Sequence, residues 1–265
     1  MAKAPGVVAL LTDFGLRDHY VGVMKGVILS VNPDARIIDI SHEVPSQGIL
    51  EGYFLLSNTY RYFPRGTVFV AVVDPGVGTD RAIVALQTDR YTFLAPDNGL
   101  LGFLQKESRI RRSVRVTQSR YFLEPVSNTF HGRDIFAPVA GHLSKGLALA
   151  KLGPKAGRLE QISAPVPRVP REGVILGQVV SIDRFGNIVT NIGTGDLSEA
   201  GTVEVKVGKH RIERISQSYA EAKKGTLLAI AGSAGTLEIS VNKGNASALT
   251  GARVGDSIRV RHSTS

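Results

Sequence analysis

Two aspartates stand where a β-sheet would present its strand ends to a ligand. Asp13 follows the apolar run 7–12, and Asp74 follows the apolar run 67–73. In open parallel sheets, ligands bind beyond the carboxyl ends of the strands. If the two runs are parallel neighbours, both carboxylates line one rim. Gly15 follows the first, Gly76 and Gly78 the second, and glycine lets a backbone approach a ligand closely. Singly, each acid reads as a turn residue or helix cap; together on one rim they favour a site. His131 lies in Phe130-His131-Gly132-Arg133-Asp134, just before a predicted helix. The free N–H groups of a helix start favour anions, so His131 faces a pocket or, on the plainer reading, stands in a surface loop. His42-Glu43 and Asp18-His19 are metal-capable by type, but no tight ligand motif such as H-E-x-x-H occurs and no metal is expected. A Gly-x-Ser-x-Gly elbow and a phosphate loop are also missing. Asp97-Asn98-Gly99 reads as a turn into a helix. Asp183-Arg184-Phe185-Gly186-Asn187 reads as a β-turn carrying an acid, an aromatic ring and an amide together.

The elements that would position these groups alternate at first. Residues 7–12 form a nearly continuous apolar run, as expected of a buried parallel strand. Tyr20, Val23, Met24, Val27, Ile28 and Val31 fall at helical spacing, which predicts a helix over 18–31 capped by Asp18 and stopped by Asn32-Pro33. Further strands are predicted at 36–40 and 67–73, with a hairpin of 82–88 and 91–95. Further helices are predicted at 48–63, 98–106 and 133–152. This is an α/β domain with a largely parallel sheet, assigned to residues 1–153. Residues 154–171, with Pro154, Pro165, Pro167 and Pro170, read as a linker. From 172 to 265 short β-type runs at 173–182, 187–192, 202–207, 226–231, 235–241 and 257–260 predict an all-β, barrel-like domain.

Composition narrows the classes. No cysteine is present among 265 residues, which excludes disulfides, thiolate nucleophiles and Cys-ligated metals. The apolar runs are too short to span a bilayer, and residues 1–5 lack the apolar stretch of a secretory signal; a cytoplasmic location is expected. The net charge of +9 raises the question of nucleic acid. The densest cluster, Arg109, Arg111, Arg112 and Arg115, sits in a strand-like stretch without interleaved aromatics for base stacking. It reads as a wet strand face, and nucleic acid is not an expected partner.

Several segments together resemble the S-adenosyl-L-methionine hydroxide adenosyltransferase family, relatives of the fluorinating and chlorinating enzymes that use the same substrate. They are Leu11-Thr12-Asp13-Phe14-Gly15, Asp39-Ile40-Ser41-His42, Val73-Asp74-Pro75-Gly76-Val77-Gly78, Ala95-Pro96-Asp97-Asn98-Gly99-Leu100-Leu101, Phe130-His131-Gly132-Arg133-Asp134 and the 183–187 turn. They occur in order through nearly the whole chain. The resemblance implies hydrolysis of S-adenosyl-L-methionine to adenosine and L-methionine, with water or hydroxide attacking ribose C5′. The family's Asp–Arg–His triad matches Asp74, Arg81 and His131. Halogenating relatives carry Tyr at the position of Asp74 and Ser at that of Gly132, which argues against halide as the nucleophile.

Binding roles are implied by the same likeness. Asp13 would hold the ribose hydroxyls, with Asp18, His19 and Tyr20 at that end of the pocket. Asp183 would meet the methionine ammonium and Ser233 its carboxylate. Phe185 and Asn187 would contact adenosine, with Tyr219 and the 242–246 loop, including Asn242 and Ala246, near the adenine. Ala234 departs from the Arg that halogenating relatives carry there, beside the position matching Ser233. The family fold is an α/β domain followed by a β-barrel-like domain. It also implies a homotrimer with sites between the first domain of one subunit and the second of the next, and no cofactor. The leaving group is a neutral thioether, so no acid or metal is needed to expel it; the difficulty lies in the water. Three rivals remain at this stage: a halide-using enzyme on the same scaffold, a non-catalytic protein that binds adenosine or S-adenosyl-L-methionine, and, more weakly, a basic nucleic-acid-binding protein with salt-dependent binding.

Overall fold

The computed structural model describes residues 6–107, 110–197 and 200–264; residues 1–5 and Arg109 lie outside these. The chain divides into two compact units, 1–162 and 163–265.

In the first unit the elements are β1 (Val7–Thr12), α1 (Tyr20–Val31), β2 (Arg36–Ser41), α2 (Ile49–Thr59), β3 (Val68–Val72), β4 (Ile83–Gln87), β5 (Thr92–Pro96), α3 (Leu104–Glu107), β6 (Arg112–Arg115) and α4 (Ala137–Ser144). The strands make a six-stranded sheet in the order β2-β1-β3-β5-β4-β6. β1 pairs parallel with β2 and β3, and β3 with β5; β4 alone runs against both its neighbours. Strands β1 and β3 are buried along their whole lengths because both sheet faces are covered. Val8, Leu10, Val68, Val70 and Val72 pack with Met24 and Ile28 of α1 and Val139 and Leu143 of α4. Side chains of alternate parity point the other way. There Phe69 and Phe93 stack at 5.0 Å and meet Tyr60, Tyr91 and Phe103 edge-on.

The chain passes from β1 to β2 on one side and then back across to β3 on the other. The order reverses between β1 and β3, a topological switch point, where a crevice opens at the carboxyl ends. Thr12 and Val72 are register partners, so Asp13 and Asp74 leave the sheet at the same rim. The antiparallel β4 adds a second consequence. The chain leaves β3 at that rim, loops through 74–82 and re-enters the sheet, which keeps Arg81 at the edge where Asp74 stands.

Helix boundaries differ from the sequence pattern for local reasons. Helix α1 begins at Tyr20 with His19, not Asp18, at its N-cap position, and no side chain caps it. Helix α2 tightens into a 3₁₀ turn at Tyr60–Tyr62. The helix predicted over 98–106 shrinks to α3, because Asn98 turns its amide to the Val73 carbonyl at 2.8 Å and Gly99 takes a positive φ of 92°. The helix predicted over 133–152 starts as a π-turn at Gly132–Phe136, continues as α4 and ends before Gly146 at φ 97°.

In the second unit the elements are β7 (Arg168–Arg171), β8 (Val174–Ile182), β9 (Ile188–Gly193), β10 (Ala200–Val207), β11 (His210–Ile212), β12 (Ile215–Ser216), β13 (Leu227–Ala231), β14 (Thr236–Val241), α5 (Ala246–Thr250) and β15 (Ser257–Thr264). Strand β7 lies inside the Pro-rich segment and pairs with β8. The other strands run β11-β10-β15-β8-β9-β14-β13-β12. The two end strands are joined by only Glu213-Arg214, so the sheet curls into a nearly closed barrel. Ile175, Val179, Ile188, Val205, Ile239 and Ile258 fill its interior. Among the described residues no helix is long and apolar enough to cross a membrane.

Candidate active site

A cavity of about 380 Å³ opens at the carboxyl ends of β1 and β3, lined by Asp13, Tyr20, Gln47, Asp74, Phe130 and His131 among others. Its volume lies within the roughly 300–1,000 Å³ usual for small-molecule sites. Two hollows of about 580 and 540 Å³ belong to the second unit and contain none of these residues. The chemistry-bearing groups decide in favour of the smaller one.

Asp74 and Arg81 are the best-defined pair. Arg81 Nε donates to both Asp74 carboxylate oxygens at 2.9 Å, and Nη2 donates to Oδ2 at 2.5 Å. Side-chain exposure is 5% for Asp74 and 12% for Arg81, so water screens this pair little. The same Nη2 lies 2.8 Å from His131 Nδ1. Arginine only donates, so Nδ1 accepts and carries no proton. The ring is therefore a neutral imidazole with its hydrogen on Nε2. Burial, and then the Arg81 charge, hold the His131 pKa below the ordinary histidine value.

Each of the three is held by its surroundings. The 74–81 loop is tied by Val77 N–H to the Asp74 carbonyl at 3.2 Å and by Thr79 to the Gly76 carbonyl. Gly78 sits at φ 80°, and a Cβ there would fall 2.3 Å from the Asn128 carbonyl oxygen. That contact joins the Asp74 loop to the loop that carries His131. On the His131 side, the fully buried Asp134 accepts from Ser127 N–H at 2.8 Å and from its hydroxyl at 2.7 Å. Burial alone would raise the Asp134 pKa, but hydrogen bonds from Arg133 and Ser127 outweigh it and lower it. The π-turn re-aims the helix start just after His131, a device frequent at functional sites.

Asp13 occupies the other side of the cavity. Its Oδ2 accepts from Gln47 N–H at 2.9 Å. Burial raises its pKa, with a smaller contribution from the negative charge of Asp74. Gln47 holds a positive φ of 64°, unusual for a residue with a side chain. The sequence reading missed it; the loop signal Pro45-Ser46-Gln47-Gly48 after β2 was the available clue. The wall is aromatic: Phe14, Tyr20 and Phe130 meet one another at 5.0–5.9 Å between ring centroids. Exposed His19 stacks on Tyr20 at 4.8 Å, and Asp18 is exposed beside it; neither lines the cavity. His42 is buried, with Nδ1 2.8 Å from Thr12 Oγ1 and Nε2 3.0 Å from Asp39 Oδ1.

The second unit gathers most of the other expected residues. Asp183 accepts from Phe185 N–H, Asn187 N–H and the Asn187 amide at 2.8–2.9 Å. Gly186 packs on the Asn245 side chain, and its carbonyl accepts from Ser247 N–H at 2.9 Å, so the 183–187 turn meets the 242–246 loop. Phe185 is 74% exposed. Tyr219 donates to Glu238 at 2.8 Å, which with burial pushes its pKa up to about 12. Asn242 donates to the Ala222 carbonyl, Ala246 is buried at the start of α5, and Ser233 is exposed in the β13–β14 turn.

Comparison with known proteins adds a second line. Residues 8–153 match the family model described as SAM hydroxide adenosyltransferase N-terminal domain, and residues 177–259 match the C-terminal domain model. The chain is 36% identical over 263 residues to the (R)-S-adenosyl-L-methionine hydrolase of Salinispora arenicola, covering 98% of this chain and 99% of the relative. The crystal structure of an uncharacterized conserved protein from Thermotoga maritima superposes with a TM-score of 0.90 at 38% identity, covering 96% of this chain and all of the other. A fluorinase of Nocardia brasiliensis is more distant: 30% identical over 221 residues, 74% of each chain.

Proposed function

The chain belongs to the SAM hydroxide adenosyltransferase family, and from that premise we propose how it works: it is an enzyme that hydrolyses S-adenosyl-L-methionine to adenosine and L-methionine, with Asp74 as the base that takes a proton from the attacking water. The observation that carries the assignment is the Arg81 guanidinium, which donates to Asp74 and to His131 Nδ1 together.

The division of labour follows from the hydrogens. His131 has its acceptor nitrogen occupied by Arg81, so it offers Nε2–H to the water oxygen. Of the three linked groups, Asp74 is the one whose carboxylate can accept the proton, since Arg81 only donates and His131 Nδ1 is taken. Arg81 fixes both groups and places positive charge beside the hydroxide as it forms. Holding one water in line with the C5′–S bond can supply up to roughly 7–11 kcal/mol in ideal cases, and a general base typically adds about 10²–10⁴-fold. The sulfonium leaves as a neutral thioether, so the residues have no leaving group to protonate, and no cofactor or metal is required.

The remaining assignments belong to the same proposal. Asp13 holds the ribose hydroxyls, with Tyr20 against the sugar; Asp18 and His19 lie outside the cavity wall, with His19 stacked on Tyr20. Asp183 meets the methionine ammonium and Ser233 its carboxylate. Phe185, Asn187, Tyr219, Asn242 and Ala246 serve the adenosine. The working form is a homotrimer in the cytoplasm.

Water is favoured over halide by the packing at Gly132. A Cβ there would lie 3.0–3.2 Å from Phe130, Phe14 and Met24, so the Ser found in halogenating relatives has no room here without repacking. The test is chromatography of the enzyme incubated with each sulfonium epimer of S-adenosyl-L-methionine, with and without chloride or fluoride. Adenosine and methionine are expected in both conditions. A 5′-halo-5′-deoxyadenosine would assign a halide nucleophile, and tight binding without turnover would assign a binding protein.

A further inference from the structure

The barrel of the second unit carries a charge arrangement that the hydrolysis does not use. Along β10 and β15 the side chains of Val205, Val207, Ile258 and Val260 face the core. Their neighbours therefore face outward. On that outer face the register aligns cations in one row. Arg211 is the partner of Lys206, Lys206 of Arg259, Arg259 of Leu176, and Leu176 of Arg168. The row crosses β11, β10, β15, β8 and β7 with strand steps of about 4.8 Å. Arg261 and Arg171 flank it, both register partners of Val174.

Among the described residues, Glu204 is the acid in ion contact with the row and its flank, with Arg211 at 3.4 Å and Arg261 at 3.9 Å. Lys206, Arg259 and Arg168 make no ion pair among the described residues. Like charges placed directly opposite on neighbouring strands destabilise a sheet, so Lys206 beside Arg259 costs the free protein stability. The same three cations line the hollow of about 580 Å³, with Gln178, Ser257 and the backbone of Gly208 and Gly251. Asp256 also lines it, with Oδ2 engaged by Arg253 N–H at 2.8 Å.

We propose that this hollow binds a small oligophosphate: several phosphate groups in sequence, as in tripolyphosphate or the tail of a nucleoside triphosphate. A linear anion would lie along the row and cancel the Lys206–Arg259 repulsion. Arg168 and Arg259 supply forked donors suited to phosphate oxygens, and Lys206 adds a third positive charge. A nucleic-acid strand is disfavoured, because none of the residues lining the hollow is aromatic and single-strand sites stack bases on such rings.

The test is calorimetric titration of the full chain with tripolyphosphate at about 0.1 M salt, where the screening length is about 10 Å. Saturable binding at one site per chain is expected. The double variant Lys206→Ala/Arg259→Ala should bind at least about tenfold more weakly, the loss of one charge-assisted hydrogen bond or more. Its ligand-free melting temperature should equal or exceed that of the parent, which separates lost binding from lost folding. A control with the same change in net charge, Arg65→Ala/Arg158→Ala, should bind as the parent does. Absence of saturable heat, or equal weakening in the control, would overturn the proposal. So would an oligothymidylate that displaces tripolyphosphate and binds more tightly.

Discussion

Arg81 has N–H donors and no acceptor, so each atom it touches must accept. That single constraint assigns the proton on His131 and leaves Asp74 as the group free to take one from water. Asp74→Asn keeps the shape and removes the basicity; kcat should fall about 10²–10⁴-fold with KM changed little, as single-turnover kinetics would show. The pH dependence has a definite sign. His131 is held below the ordinary histidine pKa by burial and by Arg81, and protonating Nδ1 would set two donors against each other. Activity should therefore persist as pH falls through the ordinary value of about 6.5 and drop only below it. Over the window between the lowered folded value and the ordinary one the unfolded chain binds more protons, so this residue makes stability rise with pH there. An acid limb above the ordinary value in the rate profile would contradict the neutral ring. Of these residues, Asp13 and Asp74 were legible as acids at strand ends. His131 was ambiguous, and Arg81 carried no signal except through family resemblance, since its role depends on a strand reversal. Gln47 was missed because what it offers Asp13 is a backbone N–H, which no residue type advertises.

At the scale of elements, the site is two loops fastened together. The loop after β3 touches the loop before the π-turn where Gly78 meets the Asn128 carbonyl. Gly78→Ala adds a Cβ at a positive φ against backbone that cannot rotate away. It should cost about 1–3 kcal/mol, read by denaturant unfolding, and should lower kcat by parting Arg81 from His131. Wild-type kcat in a folded Gly78→Ala protein would show that the loops need not touch. The strands were readable because β1 and β3 are apolar throughout, the mark of a sheet covered on both faces. Helix lengths were not, because they were decided by contacts between distant residues. Asn98 reaches Val73, twenty-five residues away, and so spends on a strand end the residues that apolar spacing assigned to a helix.

The whole molecule comprises two units with separate cores, the first built around a switch point and the second a nearly closed barrel. Six motifs in order were visible along the chain; the barrel's closure was not, since β11 and β12 are three and two residues long, too short to leave a pattern. The proposed trimer is expected to sediment at three times the 28.4 kDa chain mass in sedimentation equilibrium; a monomer retaining full activity would rule it out. The central claim concerns the nucleophile, and one measurement reaches it most directly. Hydrolysis of S-adenosyl-L-methionine is carried out in heavy-oxygen water, and the products are weighed by mass spectrometry. Heavy oxygen in the 5′-hydroxyl of adenosine, with methionine released unlabelled at sulfur, is the expected result; unlabelled adenosine, or 5′-methylthioadenosine in its place, would contradict attack by water at C5′.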